Sequence, residues 1–246
     1  MNTNLNITEY RTKAWTAISL LGLCLLLLSA CSTTQKAAVK QSDVNCVFLA
    51  NDCSMLTPGG NNQADLRYIN PAAQWTQYNK ILLDPVTFWA GDSTPISAAD
   101  QQMLVNYFFQ QLNTKLGQKF AIVNQPGPGV MKLDVAITDA ETATPVLRSI
   151  SMIVPQAHML ANLEYLATGS YPFVGAAQAE AKVTDSVSGQ ILAMAVDKRI
   201  GGGAFTTGFQ WQWGDAEDAV NAWADLAVNR LSAWTSGTAP SGTAPY

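Results

Sequence analysis

An apolar run from Ala17 to Leu28, preceded by Arg11 and Lys13 and closed by Ser29, Ala30 and Cys31, divides this chain before any fold can be considered. Basic residues, then an apolar stretch, then small residues is the order of a secretory leader. The run falls short of the about twenty apolar residues that a spanning helix needs, and it turns at once into the polar string from Ser32 to Lys36. We read a cleaved signal peptide over 1–30, so the fold must be built from what begins at Cys31.

Leu28-Ser29-Ala30-Cys31 resembles the lipobox of bacterial lipoproteins, in which the cysteine becomes the acylated first residue. The resemblance implies lipid attachment at Cys31 and a membrane as partner. Because Ser32 rather than Asp follows, it implies the outer membrane, with the domain facing the periplasm. Several acyl chains give a stable anchor, each buried methylene adding roughly 0.8 kcal/mol. Removal of a leader carrying Glu9, Arg11 and Lys13 takes the formal charge from −4 to −5. The 14 Lys and Arg are not clustered, which argues against nucleic acid and against electrostatic docking on anionic lipid.

Of 4 cysteines, Cys24 lies in the leader and Cys31 would carry lipid, leaving Cys46 and Cys53 together in an oxidising space. A disulfide is the expectation. Free thiols are the alternative, and two cysteines without a nearby histidine do not make a metal site.

The 246 residues then divide into a flexible tether over 31–45, one domain over 46–235 and a disordered tail over 236–246, where Ser-Gly-Thr-Ala-Pro occurs twice in tandem. Ser97 and Asp100 form a capping-box pattern ahead of Leu104, Phe108, Leu112 and Leu116, a helical stripe that Gly117 ends. A last helix starts near Asp215 and runs Val220, Trp223, Ala227, Leu231 and Trp234 along one side. Alternation marks strands at Ile81–Leu83, Phe120–Val123 and Lys132–Thr138, and a hairpin from Ala179–Val183 to Ile191–Asp197 across a polar turn. The fold class is α/β (α+β), a single layered domain with helices packed on a mixed or antiparallel sheet.

Phe48-Leu49 through Asp52 to Leu56, then Ala64-Asp65-Leu66 with Tyr68 and Pro71, is similar to the opening of a proteobacterial lipoprotein family known as domain of unknown function 3313. The turn from Pro126 to Val130 with Ala136-Ile137-Thr138-Asp139-Ala140, Phe173-Val174-Gly175, and Thr184-Asp185 through Gly189 to Asp197 follow in the family's order. The resemblance runs from Phe48 to Trp234. It implies an envelope lipoprotein without an assigned reaction, and supplies no catalytic residues.

The residues themselves offer little catalytic chemistry. His158, the sole histidine, sits among Met152, Ile153, Val154, Met159 and Leu160, and no serine occupies a nucleophile elbow. Asp134, Asp139 and Glu141 crowd one strand end but read as turn and edge groups, and Gly201-Gly202-Gly203 lacks the ending of a phosphate loop. Neither a cofactor nor a metal is expected. Trp211 and Trp213, alternating with Gln210 and Gln212, are candidates for ligand stacking. The apolar segment from Val146 to Phe173 either covers a sheet face or exposes a patch, with Ile153, Leu160, Leu163 and Leu166 as candidate partner surface. The expected function is a non-enzymatic, lipid-anchored envelope component acting through an envelope protein partner or self-association. A small-ligand or glycan-binding module and a cell-wall or lipid hydrolase are the alternatives.

Overall fold

A computed structural model describes residues 34–60, 62–89, 96–141, 176–200 and 214–238. The first helix, α1 (Ala98–Leu116), forms where the capping box lies: the amide of Asp100 donates to Ser97 Oγ at 3.2 Å, and that hydroxyl donates to Asp100 Oδ2 at 2.7 Å. Its stripe of Leu104, Phe108, Leu112 and Leu116 is buried. The second helix, α2 (Gly214–Thr235), buries Val220, Trp223, Leu231 and Trp234 on one side. It closes with Gly237 at φ 70°, the left-handed conformation that lets the amide of Thr238 reach the carbonyl of Ala233 at 3.2 Å. Ser236, Gly237 and Thr238 thus belong to the helix cap, ahead of the remainder of the repeated segment.

Between and before the helices run β1 (Gln35–Ala37), β2 (Thr57–Pro58), β3 (Leu66–Ile69), β4 (Lys80–Leu83), β5 (Thr87–Phe88), β6 (Ala121–Val123), β7 (Val130–Glu141), β8 (Ala176–Asp185) and β9 (Ile191–Ile200). They join one mixed sheet in the order β2-β3-β9-β8-β7-β4-β6, with β1 beside β9 and β5 beside β7. The long strands β7, β8 and β9 are antiparallel, whereas β4 is parallel to β6 and to β7. Asp84-Pro85-Val86 separates β4 from β5, in keeping with a proline that has no N–H for a ladder. Gly129, at φ 72°, ends the turn into β7, and its carbonyl accepts from the amides of Asn79 and Lys80 at 3.2 Å each. A side chain there would also crowd the carbonyl of Gln77.

Strand alternation divides the side chains between two faces. Leu133, Val135 and Ile137 of β7, with Ala177, Ala179 and Val183 of β8, meet the two helices in the main core. The helices lock together through Phe108 stacked on Trp223, ring centroids 5.7 Å apart, and through Lys115 Nζ at 2.7 Å from Asp225. On the opposite face, Leu66, Ala136, Met194 and Val196 are covered by Val39, Val44, Phe48, Leu49, Cys53 and Leu56. Helices on a mixed sheet make this a single α+β domain.

The tether expected over 31–45 is corrected here from Gln35 onward. Gln35, Lys36 and Ala37 pair with Ile200, Arg199 and Lys198, a short helical turn occupies Gln41–Asp43, and Val39 and Val44 are buried. Polar composition hid this segment because its backbone, more than its side chains, makes the contacts. Three β8 side chains, each two residues from the next, reach across to it. Gln178 Nε2 donates to the carbonyl of Asp43 at 2.9 Å, Glu180 Oε1 accepts from the amide of Asn45 at 2.6 Å, and Lys182 Nζ donates to the carbonyl of Phe48 at 3.2 Å.

Candidate functional site

Beneath α2 the sheet presents a row of residues in register across four strands: Val135 on β7, Ala181 on β8, Ala195 on β9 and Arg67 on β3. Directly opposed side chains on one sheet face stand about 5 Å apart, and two adjacent alanines leave a gap that larger residues would fill. The gap is a cavity of about 130 Å³, roofed by Trp223, Leu226, Ala227, Leu231 and Trp234 of α2. Ala181 and Ala195 are half-buried although they sit on central strands under a helix, so the cavity reaches solvent. Half-buried Gln63, Arg67, Leu226 and Arg230 lie among its lining residues toward the surface.

Charge in the cavity is uneven. Asp197 lines it, but its carboxylate is already engaged: Oδ2 accepts from Trp223 Nε1 at 2.8 Å and Arg199 Nε at 2.7 Å, and Oδ1 from the amide of Asp65 at 3.0 Å. Arg67 is different. Burial, and then repulsion from Arg230, hold its pKa below the usual guanidinium value, and its Nε is buried without a hydrogen-bond partner. The indole N–H of Trp234 is likewise buried without an acceptor. Arg230 Nη2 donates to the carbonyl of Asn62, which fixes the arginine at this end of the helix. An apolar floor, buried donors in search of acceptors and two guanidiniums together form a receptive pocket; Glu180 also lines it, but its Oε1 accepts from the amide of Asn45 on the opposite face of the sheet.

Other polar groups have structural duties. Cys46 and Cys53 form a disulfide, pinning the turn that covers the outer face. Asp139 pairs with Lys198 at 2.9 Å, and Lys132 lies 2.8 Å from Asp84 and 3.0 Å from Asp134. Burial raises the pKa of Asp134 despite that lysine. Asp185 organises the hairpin turn: its Oδ1 accepts from the amides of Val187 and Ser188, and Ser188 chiefly holds its carboxyl below the usual range. The Tyr78 hydroxyl donates to Asp185 Oδ2 at 3.0 Å, and burial first, then that bond, push its pKa up to about 12. Among the described residues no group of three His, Cys, Asp or Glu could hold a metal ion.

Cys31, His158 and the candidate surface of Ile153, Leu160, Leu163 and Leu166 lie outside the described residues, as do Trp211 and Trp213. Sequence reasoning did not find the cavity, although a signal for it exists. Ala177, Ala179 and Ala181 recur at every second position of β8, and Ala193 and Ala195 do so on β9. A small-residue face of this kind on two adjacent strands leaves space under whatever packs on it.

A family model described as "Protein of unknown function (DUF3313)" matches residues 48–227. No curated protein matches the chain. Among solved structures, it is similar to the PelC dodecamer from Paraburkholderia phytofirmans, at 11% identity and a TM-score of 0.36 over 69% of this chain and 94% of that one. It is also similar to protein XCC0632 from Xanthomonas campestris, of the DUF330 family, at 10% identity and a TM-score of 0.33 over 71% and 91%. A neuraminyllactose-binding hemagglutinin homologue from Helicobacter pylori has 12% identity and a TM-score of 0.29 over 67% and 88%.

Proposed function

The chain belongs to the DUF3313 family, and from that premise we propose that it is a non-enzymatic, lipid-anchored lipoprotein of the outer membrane. It faces the periplasm and acts through contact with an envelope protein or with further copies of itself. The observation that carries this reading is the Cys46–Cys53 disulfide, a bond that persists in oxidising compartments. The leader and Cys31 motif support the same address from the sequence. The non-enzymatic part of the reading is supported by what the carboxylates do: Asp197, Asp185 and Glu180 each hold a backbone amide in place.

Labelling of cells with a palmitate analogue, followed by membrane fractionation, tests the anchor. The wild-type chain should carry label and sediment with outer membranes, and Cys31→Ser should lose both; label on the variant would overturn the assignment. Crosslinking in cells then tests the contact role. A reproducible adduct, to a partner or to itself, is expected, and its absence would sink the accessory reading.

A second reading, a small-ligand-binding module, is favoured by one observation, the solvent-reaching cavity over Ala181 and Ala195 with Arg67 at its edge. It places the ligand beneath α2.

A further inference from the structure

Building on the ligand-module reading, we propose that the cavity beneath α2 binds a monomeric anionic amphiphile with a single alkyl tail, its tail over Ala181 and Ala195 and its carboxylate between Arg67 and Arg230.

Volume limits the tail. At about 130 Å³ the space resembles an engineered apolar cavity of about 150 Å³ that stays dry and admits benzene, so it takes the terminal carbons of a slender hydrocarbon, the rest of a longer tail lying in the mouth that reaches solvent, and not a sugar ring with its shell of hydroxyls. The lining agrees: Val135, Val183, Leu226, Leu231 and Trp223 offer a tail dispersion contacts. A neutral hydrocarbon, however, would leave the donors at this site unanswered. Arg67 Nε and Trp234 Nε1 are both buried and unpartnered, and a carboxylate has only acceptors to give. Two guanidiniums that repel one another are relieved by an anion between them, and arginine presents its donors as a planar fork suited to carboxylate. Arg230, held at this end of the helix by the carbonyl of Asn62, contributes its positive charge to the site. Asp197 does not compete for the site, since its oxygens are occupied by Trp223, Arg199 and Asp65. In cross-strand register Arg67 stands beside Ala195, so head-group contact and tail floor are neighbours.

The test is calorimetric titration of the full chain carrying Cys31→Ser, with decanoate and decyltrimethylammonium below their micellar concentrations. Decanoate should bind saturably at one site and the cation at least ten-fold more weakly. Ala195→Leu, which fills the floor, should abolish decanoate binding, and Ala181→Val should weaken it at least ten-fold, both with unchanged circular dichroism. Arg67→Gln should weaken decanoate alone, by about ten-fold. The leader is common to every variant, so binding to it would be insensitive to these substitutions. Equal binding of both amphiphiles, lost in Ala195→Leu, would overturn the anionic ligand while leaving a ligand module. Decanoate binding indifferent to Ala195→Leu and Ala181→Val would overturn both. Substitution-sensitive binding to phosphatidylglycerol vesicles without decanoate binding would overturn a free carboxylate as ligand.

Discussion

The two faces of the sheet are covered by different means. The helix face is closed by apolar bulk, with Leu104, Phe108, Leu112 and Leu116 of α1 and Val220, Trp223 and Leu231 of α2 meeting Leu133, Val135 and Ile137. The outer face is closed by a covalent turn and by polar side chains gripping a backbone: Cys46–Cys53 on one hand, and Gln178, Glu180 and Lys182 on the other. Apolar packing is non-directional and tolerates repacking, whereas hydrogen bonds from a strand to a particular amide or carbonyl fix register. One face supplies bulk stability, and the other supplies placement.

Substitutions can break this contrast or sharpen it. The largest effect should come from Phe108→Ala, which opens a cavity against Trp223 and should cost about 3–5 kcal/mol in urea unfolding. A loss below about 1 kcal/mol would show that the helix face does not dominate. Replacing both Cys46 and Cys53 by alanine should cost about 2.5 kcal/mol, the chain-entropy value for so short a loop. Hydrogen exchange should then quicken over 39–56 while α1 and α2 keep their protection; uniform quickening would mean that the two faces unfold as one.

Glu180→Gln should have a smaller effect of opposite sign. Glu180 is fully buried, and burial raises its pKa against the bonds from Asn45, Thr138 and Gln178. A carboxyl whose folded pKa lies above its unfolded value contributes stability that is full below the ordinary glutamate range and is lost as pH rises through the raised value. The neutral amide should remove that decline and leave the protein about 1 kcal/mol more stable at pH 7. Parallel stability curves for the two proteins between pH 4 and 8 would refute a buried charge at this position. The smallest effect, about 0.5 kcal/mol, should follow Lys182→Met, which loses one carbonyl contact and the placement of Nζ 5.6 Å from the centroid of the Phe48 ring. A loss above about 2 kcal/mol in thermal denaturation would make the lysine, and not the disulfide, the principal fastener.

The helix face was legible from the sequence because its signals are local. The capping box at Ser97 and Asp100, the spacing-four stripe behind it and the alternation of Leu133, Val135 and Ile137 all reappear as read. The hairpin from β8 to β9 is longer than its alternation suggested, since alanines at its outer end pair as well as larger residues do. The outer face was illegible for the opposite reason. β1 and the turn after it carry few large apolar residues, and their partners lie far along the chain, as Asn45 and Glu180 illustrate. Short strands such as β2 and β5, with two residues each, leave no period to detect. The cavity escaped notice because its floor is made of alanines, which read as bland strand residues until register sets Ala181 beside Ala195.

The pairing of Gln35 with Ile200 also shortens a leash. Read as a tether, the chain after Cys31 offers a reach of about 50 Å when drawn straight. Were Cys31 acylated as proposed, the ladder beginning at Gln35 would leave only about 14 Å of extended chain between that lipid and the first paired residue. An anchor so short would make the bilayer a near neighbour of the β1 end of the sheet, and would restrict the orientations from which a partner could approach.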